Sequence, residues 1–377
     1  MINSSQLVGE RIRALAELIG VSRTSLAESV GASITQISKI ENGTQRFPLQ
    51  LALDFSEFYE VPISFFMQID RVLEHTVPTF RKQARALASE QKRITRLVRE
   101  AGRLFKKVSL DSSYRTFPTF NDSDLLADIE QVAKEIRRAG NISLDGPVPN
   151  VTRLLERQGV GIIHSLDPSL DRTTSATGIS LPSTLNDRPL IGIVGPTPAA
   201  VSRFTLAHEA AHLIWDTDLT APLTSTRDYR EKRANRFAGA LLLPEKVIRD
   251  FITERSTLRS LLPLKAEFGV SLGAIIFRAK DLKCISDDRA RSLQIQLSSL
   301  GWRDPEIEPV EVTPERPLLL RQAFERVARL NNFNATNYSG LPTKLVNHWL
   351  EIAEANDEKS TDKNADIIDI TQLKRPI

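Results

Sequence analysis

Two histidines four residues apart with a glutamate beside the first, in the run His208-Glu209-Ala210-Ala211-His212, constrain this chain more than any other feature. They are two of only 5 histidines in 377 residues. If the segment Phe204–Trp215 is helical, residues i and i+4 stand on one face with Cβ atoms about 5–6 Å apart. The imidazoles of His208 and His212 can then converge on a single tetrahedral ion. Glu209, pointing beside them, is placed to take a proton from a metal-bound water. This HExxH pattern is that of a zinc hydrolase; the alternative is a helix whose histidines simply pack or face water.

Such a site needs a third protein ligand and an open fourth position. The next helix-like run, 228–243, is closed by Pro244, and its Ala234, Phe237, Ala238, Leu241 and Leu242 recur at helical spacing. Glu231 and Asn235 fall on one stripe of it, and Ala234 and Ala238 are small enough for a close approach to the first helix. Glu231 is therefore assigned as third ligand, and Asn235 as a residue that orients a ligating histidine. Asp216, Asp218 and Asp228 compete in sequence. Asp216 and Asp218 follow His212 so soon that they would lie at the end of the same helix, a turn or more from the ion.

Taken together, Arg203-Phe204-Thr205-Leu206-Ala207 before the HExxH, Glu231 to Asn235, Phe237-Ala238 and Leu242-Leu243-Pro244 resemble the ImmA/IrrE-type metallopeptidases. Asp145-Gly146-Pro147-Val148-Pro149-Asn150, the run Leu154 to Val160, and Phe268-Gly269-Val270-Ser271 agree, so the similarity spans about 121–285. The resemblance implies a zincin-like fold with Zn2+ on His208, His212 and Glu231, and Glu209 as general base. One departure is Ala211, where that family usually has Gly before the second histidine. Alanine suits a helix better, so the metal site should survive.

The first part of the chain carries an independent signal. Leu7, Ile12, Leu15 and Leu18 form one apolar stripe. Ser22 is an N-cap for the run Arg23 to Val30, Gly31 ends that helix, and Ser33 opens Ile34 to Gly43. Helix, tight glycine turn, helix is the helix-turn-helix plan. Leu26-Ala27, Ile37-Ser38-Lys39-Ile40-Glu41-Asn42-Gly43 and Val61-Pro62 resemble the Xre or lambda-repressor-like DNA-binding domain over about 7–68. On that resemblance Thr35, Gln36 and Lys39 face base edges or nearby phosphates, with Gln suited to adenine. Ser33 and Arg46 would hold the sugar-phosphate backbone. Arg23 stands where the family usually has a phosphate-contacting Gln, and can act through its charge. The alternative is a helical interaction module that no longer binds DNA.

Between the two units the stretch 77–110 holds ten Lys and Arg against two Glu, whereas the whole chain is only +3. Leu87, Ile94, Leu97, Val98, Ala101, Leu104 and Phe105 fall at helical intervals, which predicts one or two helices with a packed face and a basic face. That basic face is either a solvated surface or an extension of the DNA footprint through counterion release.

The length suits two or three domains: 1–70 helix-turn-helix, 71–120 basic helical connector, 121–285 peptidase-like, and 286–377 accessory with a flexible polar tail around Asn356 to Ala365. The fold class expected is mainly α with a small β-sheet, its strands at Val160–Leu166, Ala176–Leu181 and Pro189–Val194. His164 could border the cleft or be structural, Arg203 should cap or pair locally, and Tyr229 is another conceivable cleft residue. One cysteine, Cys284, precludes intramolecular disulfides and suits a reducing cytosol. No apolar run approaches the roughly 20 residues of a membrane span, so a cytoplasmic protein is expected.

The expected function is a transcriptional regulator that binds a double-stranded DNA operator, as a homodimer reading two half-sites. By resemblance, its zinc endopeptidase cleaves a repressor or antitoxin-like partner, or the chain itself, in a stress or mobile-element response. Three alternatives differ in class: a repressor whose peptidase fold senses a ligand or metal, an antitoxin that binds a toxin, and a peptidase with a vestigial helix-turn-helix.

Overall fold

A computed structural model describes residues 6–67, 69, 74, 76–82, 88–112, 128–170, 176–182, 188–217, 219, 228–304, 307–331 and 338–351. The chain opens with α1 (Glu10–Ile19), α2 (Arg23–Ser29), α3 (Ile34–Glu41) and α4 (Leu49–Phe58). Ser22 and Ser33 cap α2 and α3 by accepting from the backbone N–H groups of Ser25 and Gln36. Between these helices Gly31 lies at φ +66°, a left-handed conformation that costs glycine nothing. The helix-turn-helix expected from the capping pattern is present, closed over Leu15, Leu26, Ile37, Phe55 and Phe66.

The next segment departs from the helical reading of 77–110. Thr79–Lys82 is a strand, β1, and only Ala88–Asp111 is helix, the 24-residue α5. Pro78 disfavours helix just before the strand, and Thr79 and Phe80 suit a sheet. The partner strand lies about a hundred residues downstream, where no local periodicity could reveal it. Residues 83–87, with Arg85 and Leu87 of the basic run, lie outside the described residues.

After α6 (Ile129–Ala139) and α7 (Val151–Arg157) come β2 (Gly161–Ile163), β3 (Ala176–Leu181) and β4 (Leu190–Ile193). Then follow α8 (Ala199–Trp215), α9 (Tyr229–Leu242), α10 (Glu245–Phe251), α11 (Leu258–Phe268), α12 (Leu272–Asp281), α13 (Asp287–Ser299), α14 (Leu319–Asn331) and α15 (Thr343–Trp349). The fold is mainly α with a small sheet. Asp218 and the polar tail around Asn356 to Ala365 lie outside the described residues.

Among the described residues the sheet has four strands in the order β1-β3-β4-β2, with β2 parallel to β4 and the other pairs antiparallel. Alternation along the strands divides its apolar side chains between two cores. Ile163, Ile179, Leu181 and Leu190 join the core of the N-terminal helices, α5, α14 and α15. Ile162, Ile191 and Ile193 join the core of α7, α8 and α9. The long helix α5 thus backs the face of the sheet opposite α8, burying Ile94, Leu97, Val98, Ala101 and Leu104.

The basic face of α5 is largely turned to internal partners. Arg93 holds Asp167 at 2.6 Å, Arg96 holds Glu17 at 2.8 Å and Glu74 at 2.6 Å, and Lys107 donates to the Tyr338 carbonyl at 2.5 Å. Arg11 of α1 and Arg103 converge on Glu100, which is 1% exposed. Burial works against that carboxylate's charge, but Arg103, Arg11 and Arg96 outweigh it and hold its pKa far below the ordinary range. The face read as either solvated or DNA-facing is, for these residues, a set of ion pairs and hydrogen bonds to internal partners.

Candidate metal centre

Helix α8 carries the HExxH residues and α9 runs beside it. Close approach is possible because Ala207, Ala210 and Ala211 on α8 meet a partner bearing Ala234 and Ala238, all buried. Asp228 caps α9 by accepting from the N–H of Arg230 at 2.9 Å, which fixes the first turn where Glu231 stands.

His208, His212 and Glu231 come together. The two Nε2 atoms are 3.1 Å apart, His208 Nε2 lies 3.3 Å from Glu231 Oε2, and His212 Nε2 lies 3.5 Å from Glu231 Oε1. Tetrahedral zinc with bonds of about 2.0–2.2 Å sets its ligand atoms about 3.3–3.6 Å apart. The donor set and its spacing therefore fit zinc with little rearrangement. Asn235 Oδ1 accepts from His208 Nδ1 at 3.1 Å, as its stripe on the helix predicts.

Asp216 is a neighbour of the histidine pair that the sequence reading set aside. It does lie at the C-terminal end of α8, but its Oδ2 accepts from His212 Nδ1 at 2.8 Å, and Arg233 fixes its other oxygen at 2.6 Å. The signal was available: Asp216 follows His212 by four residues, the same spacing that joins the two histidines. Burial disfavours a charged His212, yet hydrogen bonds to Asp216 and Glu231 and the nearby carboxylates prevail and raise its pKa to about 9. Burial likewise opposes the Glu231 carboxylate, and the two histidines overcome it and lower its pKa to about 2.

Glu209 is fully buried on the side of α8 that faces β3. Ser180 donates to its Oε2 at 2.8 Å, and the Thr79 hydroxyl, in contact with that of Ser180, lies 3.5 Å from the same oxygen. A Cβ at Gly178 would meet Thr205 Cγ2 at 2.5 Å and Glu209 Oε1 at 2.7 Å, so glycine is what allows β3 to pass this close. Period two puts Gly178 and Ser180 on one face of β3, but nothing in the sequence says that this face meets Glu209.

Other expected site residues fall elsewhere. His164 faces Glu315 rather than the histidine pair, and burial lowers its pKa to about 4 although Glu315 pulls the other way. Arg203 pairs at long range with Glu315 and donates to the Val148 carbonyl at 2.6 Å, where local pairing was expected. Tyr229 is 62% exposed at the start of α9 and stacks with Arg230 and Arg233. In the N-terminal unit Thr35, Lys39 and Arg46 are exposed and Gln36 is half-buried. The Ser33 side chain is engaged as the cap of α3, and Arg23 is paired with buried Glu41 at 2.8 Å.

Among the described residues no single helix is long and apolar enough to cross a membrane. Residues 12–66 match the family model for the helix-turn-helix. Residues 169–280, which include all of His208, Glu209, His212 and Glu231, match the peptidase-family model described as the IrrE N-terminal-like domain. Neither a comparison with curated proteins nor one with solved structures finds a match. The chain joins a segment that matches the helix-turn-helix model to a segment that matches the IrrE-like peptidase family.

Proposed function

We propose that this protein is a transcriptional regulator whose zinc-dependent endopeptidase cleaves a partner repressor or antitoxin-like protein, or the chain itself, in a stress or mobile-element response. The observation that carries the reading is the triangle of His208, His212 and Glu231 donor atoms at tetrahedral spacing, with the Glu209 carboxylate buried beside it. On this reading 1–70 contacts DNA, 71–120 connects, 121–285 is the peptidase and 286–377 is accessory. The protein works in the cytoplasm, as a homodimer on two half-sites.

His208, His212 and Glu231 would hold the ion. Zinc bound there supplies a water acidified toward neutrality and a Lewis acid for the scissile carbonyl. Asn235 and Asp216 hold the two imidazoles in the orientation that turns Nε2 inward. Glu209, fixed by Ser180, accepts the proton of the attacking water and returns it to the leaving amine. Thr35, Gln36, Lys39 and Arg46 contact the operator, with Arg23 and Ser33 supporting them from the helix ends.

Metal analysis of the purified protein should find one zinc per chain, and Glu209→Gln should retain it while losing roughly 10²–10⁴-fold in hydrolysis. Mobility shifts on the gene's upstream region should weaken with salt, and Lys39→Ala should reduce the salt slope by about 1. Protein free of zinc after equilibration, or Glu209→Gln with full proteolysis, would sink the peptidase reading.

A further inference from the structure

The four side chains of the site are sealed: His208 and Glu209 are 0% exposed, His212 1% and Glu231 5%. A polypeptide cannot reach them until something moves. Strand β1 is what covers Glu209 from the sheet side. It lies against α8 as well as β3, and its Thr79, 1% exposed, sits on the oxygen of Glu209 that Ser180 also holds.

Among the described residues β1 is an edge strand, and it is contributed from outside the region matched by the peptidase-family model. Its pairing is antiparallel, with Thr79 opposite Ser180, Phe80 opposite Ile179 and Arg81 opposite Gly178, and the register breaks between Arg81 and Lys82. An extended peptide can take such a place by exchanging ladder hydrogen bonds for its own, a common mode of peptide capture. Only four residues of β1 have to leave.

We propose that the edge of β3 beside Glu209 is the seat of the peptide substrate, which adds there as an antiparallel strand, and that β1 occupies this seat in the resting chain. This rests on the peptidase reading above and names its substrate class: an extended segment with a small residue opposite Ser180. Thr79 marks that requirement, because a larger side chain would run into Glu209 and Ser180. The occupying strand is tethered on the DNA-reading side. Arg99 donates to the Thr76 carbonyl at 3.2 Å, and Glu74 shares Arg96 with Glu17 of α1.

The test uses the full chain and a fluorescein-labelled peptide with the sequence of residues 74–84, followed by anisotropy in a Glu209→Gln background so that hydrolysis does not enter. Phe80→Pro/Arg81→Pro breaks the β1 ladder whichever residue donates, and should bind the peptide at least tenfold more tightly than the parent. The cross-strand pair Phe80→Cys/Ile179→Cys, in a Cys284→Ser background, should bind none when oxidised and recover on reduction. A peptide carrying Thr79→Trp should bind at least tenfold more weakly. Equal binding by the parent, proline and locked proteins would overturn the proposal, and the lock decides the matter even if the proline variant fails to fold. Zinc content and Glu209-dependent hydrolysis with binding indifferent to the lock would reject the seat and leave the peptidase reading intact. Lock-controlled binding without zinc would do the reverse.

Discussion

His212 is gripped at both ring nitrogens, by His208 and Glu231 on one side and by Asp216 on the other, and Asp216 is itself clamped by Arg233. Removing such a supporting carboxylate commonly lowers metal affinity by about 10–100-fold. Asp216→Ala should therefore weaken zinc binding by that factor in competition with a chelating dye, and an unchanged affinity would remove Asp216 from the support of the site. His164 offers a different measurement. Its folded pKa of about 4 lies below the ordinary 6.5, so the unfolded chain binds more protons between these values. Its contribution is complete above pH 6.5 and fades as pH falls toward 4, by an amount on the order of 2 kcal/mol after allowing for partial solvent contact. Urea unfolding at pH 7 and pH 5 should show this loss in the parent protein and a flatter dependence in His164→Gln.

At the level of elements, legibility followed the range of the interactions that stabilise each one. Helices α2 and α3 were readable because Ser22, Ser33 and Gly31 act within a few residues of themselves. Helices α8 and α9 were readable because ligand spacing and the apolar stripe share the helical period. Strand β1 was not, since its reason for being a strand is the edge of β3. Helix α5 was half readable: the apolar stripe predicted its core, while its charges gave no sign that they were internal. Glu100 is the keystone of that seam, with Arg11 at 2.5 Å, Arg103 in contact and Arg96 at 3.7 Å. Glu100→Ala would leave buried arginines without their counter-charge and should cost about 3–5 kcal/mol. Denaturant titration is the check; a loss under about 1 kcal/mol would mean that water reaches the arginines.

Across the whole molecule, Glu315 and the start of α14 tie a distant part of the chain to the helix that carries the candidate centre. Glu315 accepts from the N–H groups of Val151 and Thr152 at the start of α7, at 2.9 and 2.7 Å, and pairs with Arg203 of α8. Glu156 returns the arrangement, accepting from Leu318 and Leu319 at the start of α14. Glu315→Ala removes the counter-charge of a buried arginine and the acceptor for two helix N–H groups, so it should destabilise the chain by about 3–5 kcal/mol. A melting curve unchanged from the parent would show that the C-terminal region is merely appended. The sequence by itself determined what depends on spacing along the chain: the helix-turn-helix, the histidine pair with its glutamate, the third carboxylate one helix later, and a mainly α fold. The tertiary structure alone decided that Asp216, Ser180 and Thr79 surround these groups, that Arg93, Arg96, Arg103 and Lys107 of the basic stretch turn to internal partners, and that a strand from the same stretch closes the sheet over Glu209. The physical reason is that helical periodicity and capping are written into neighbouring residues, whereas strand partners and buried ion pairs are chosen by surfaces that meet only after the chain has folded.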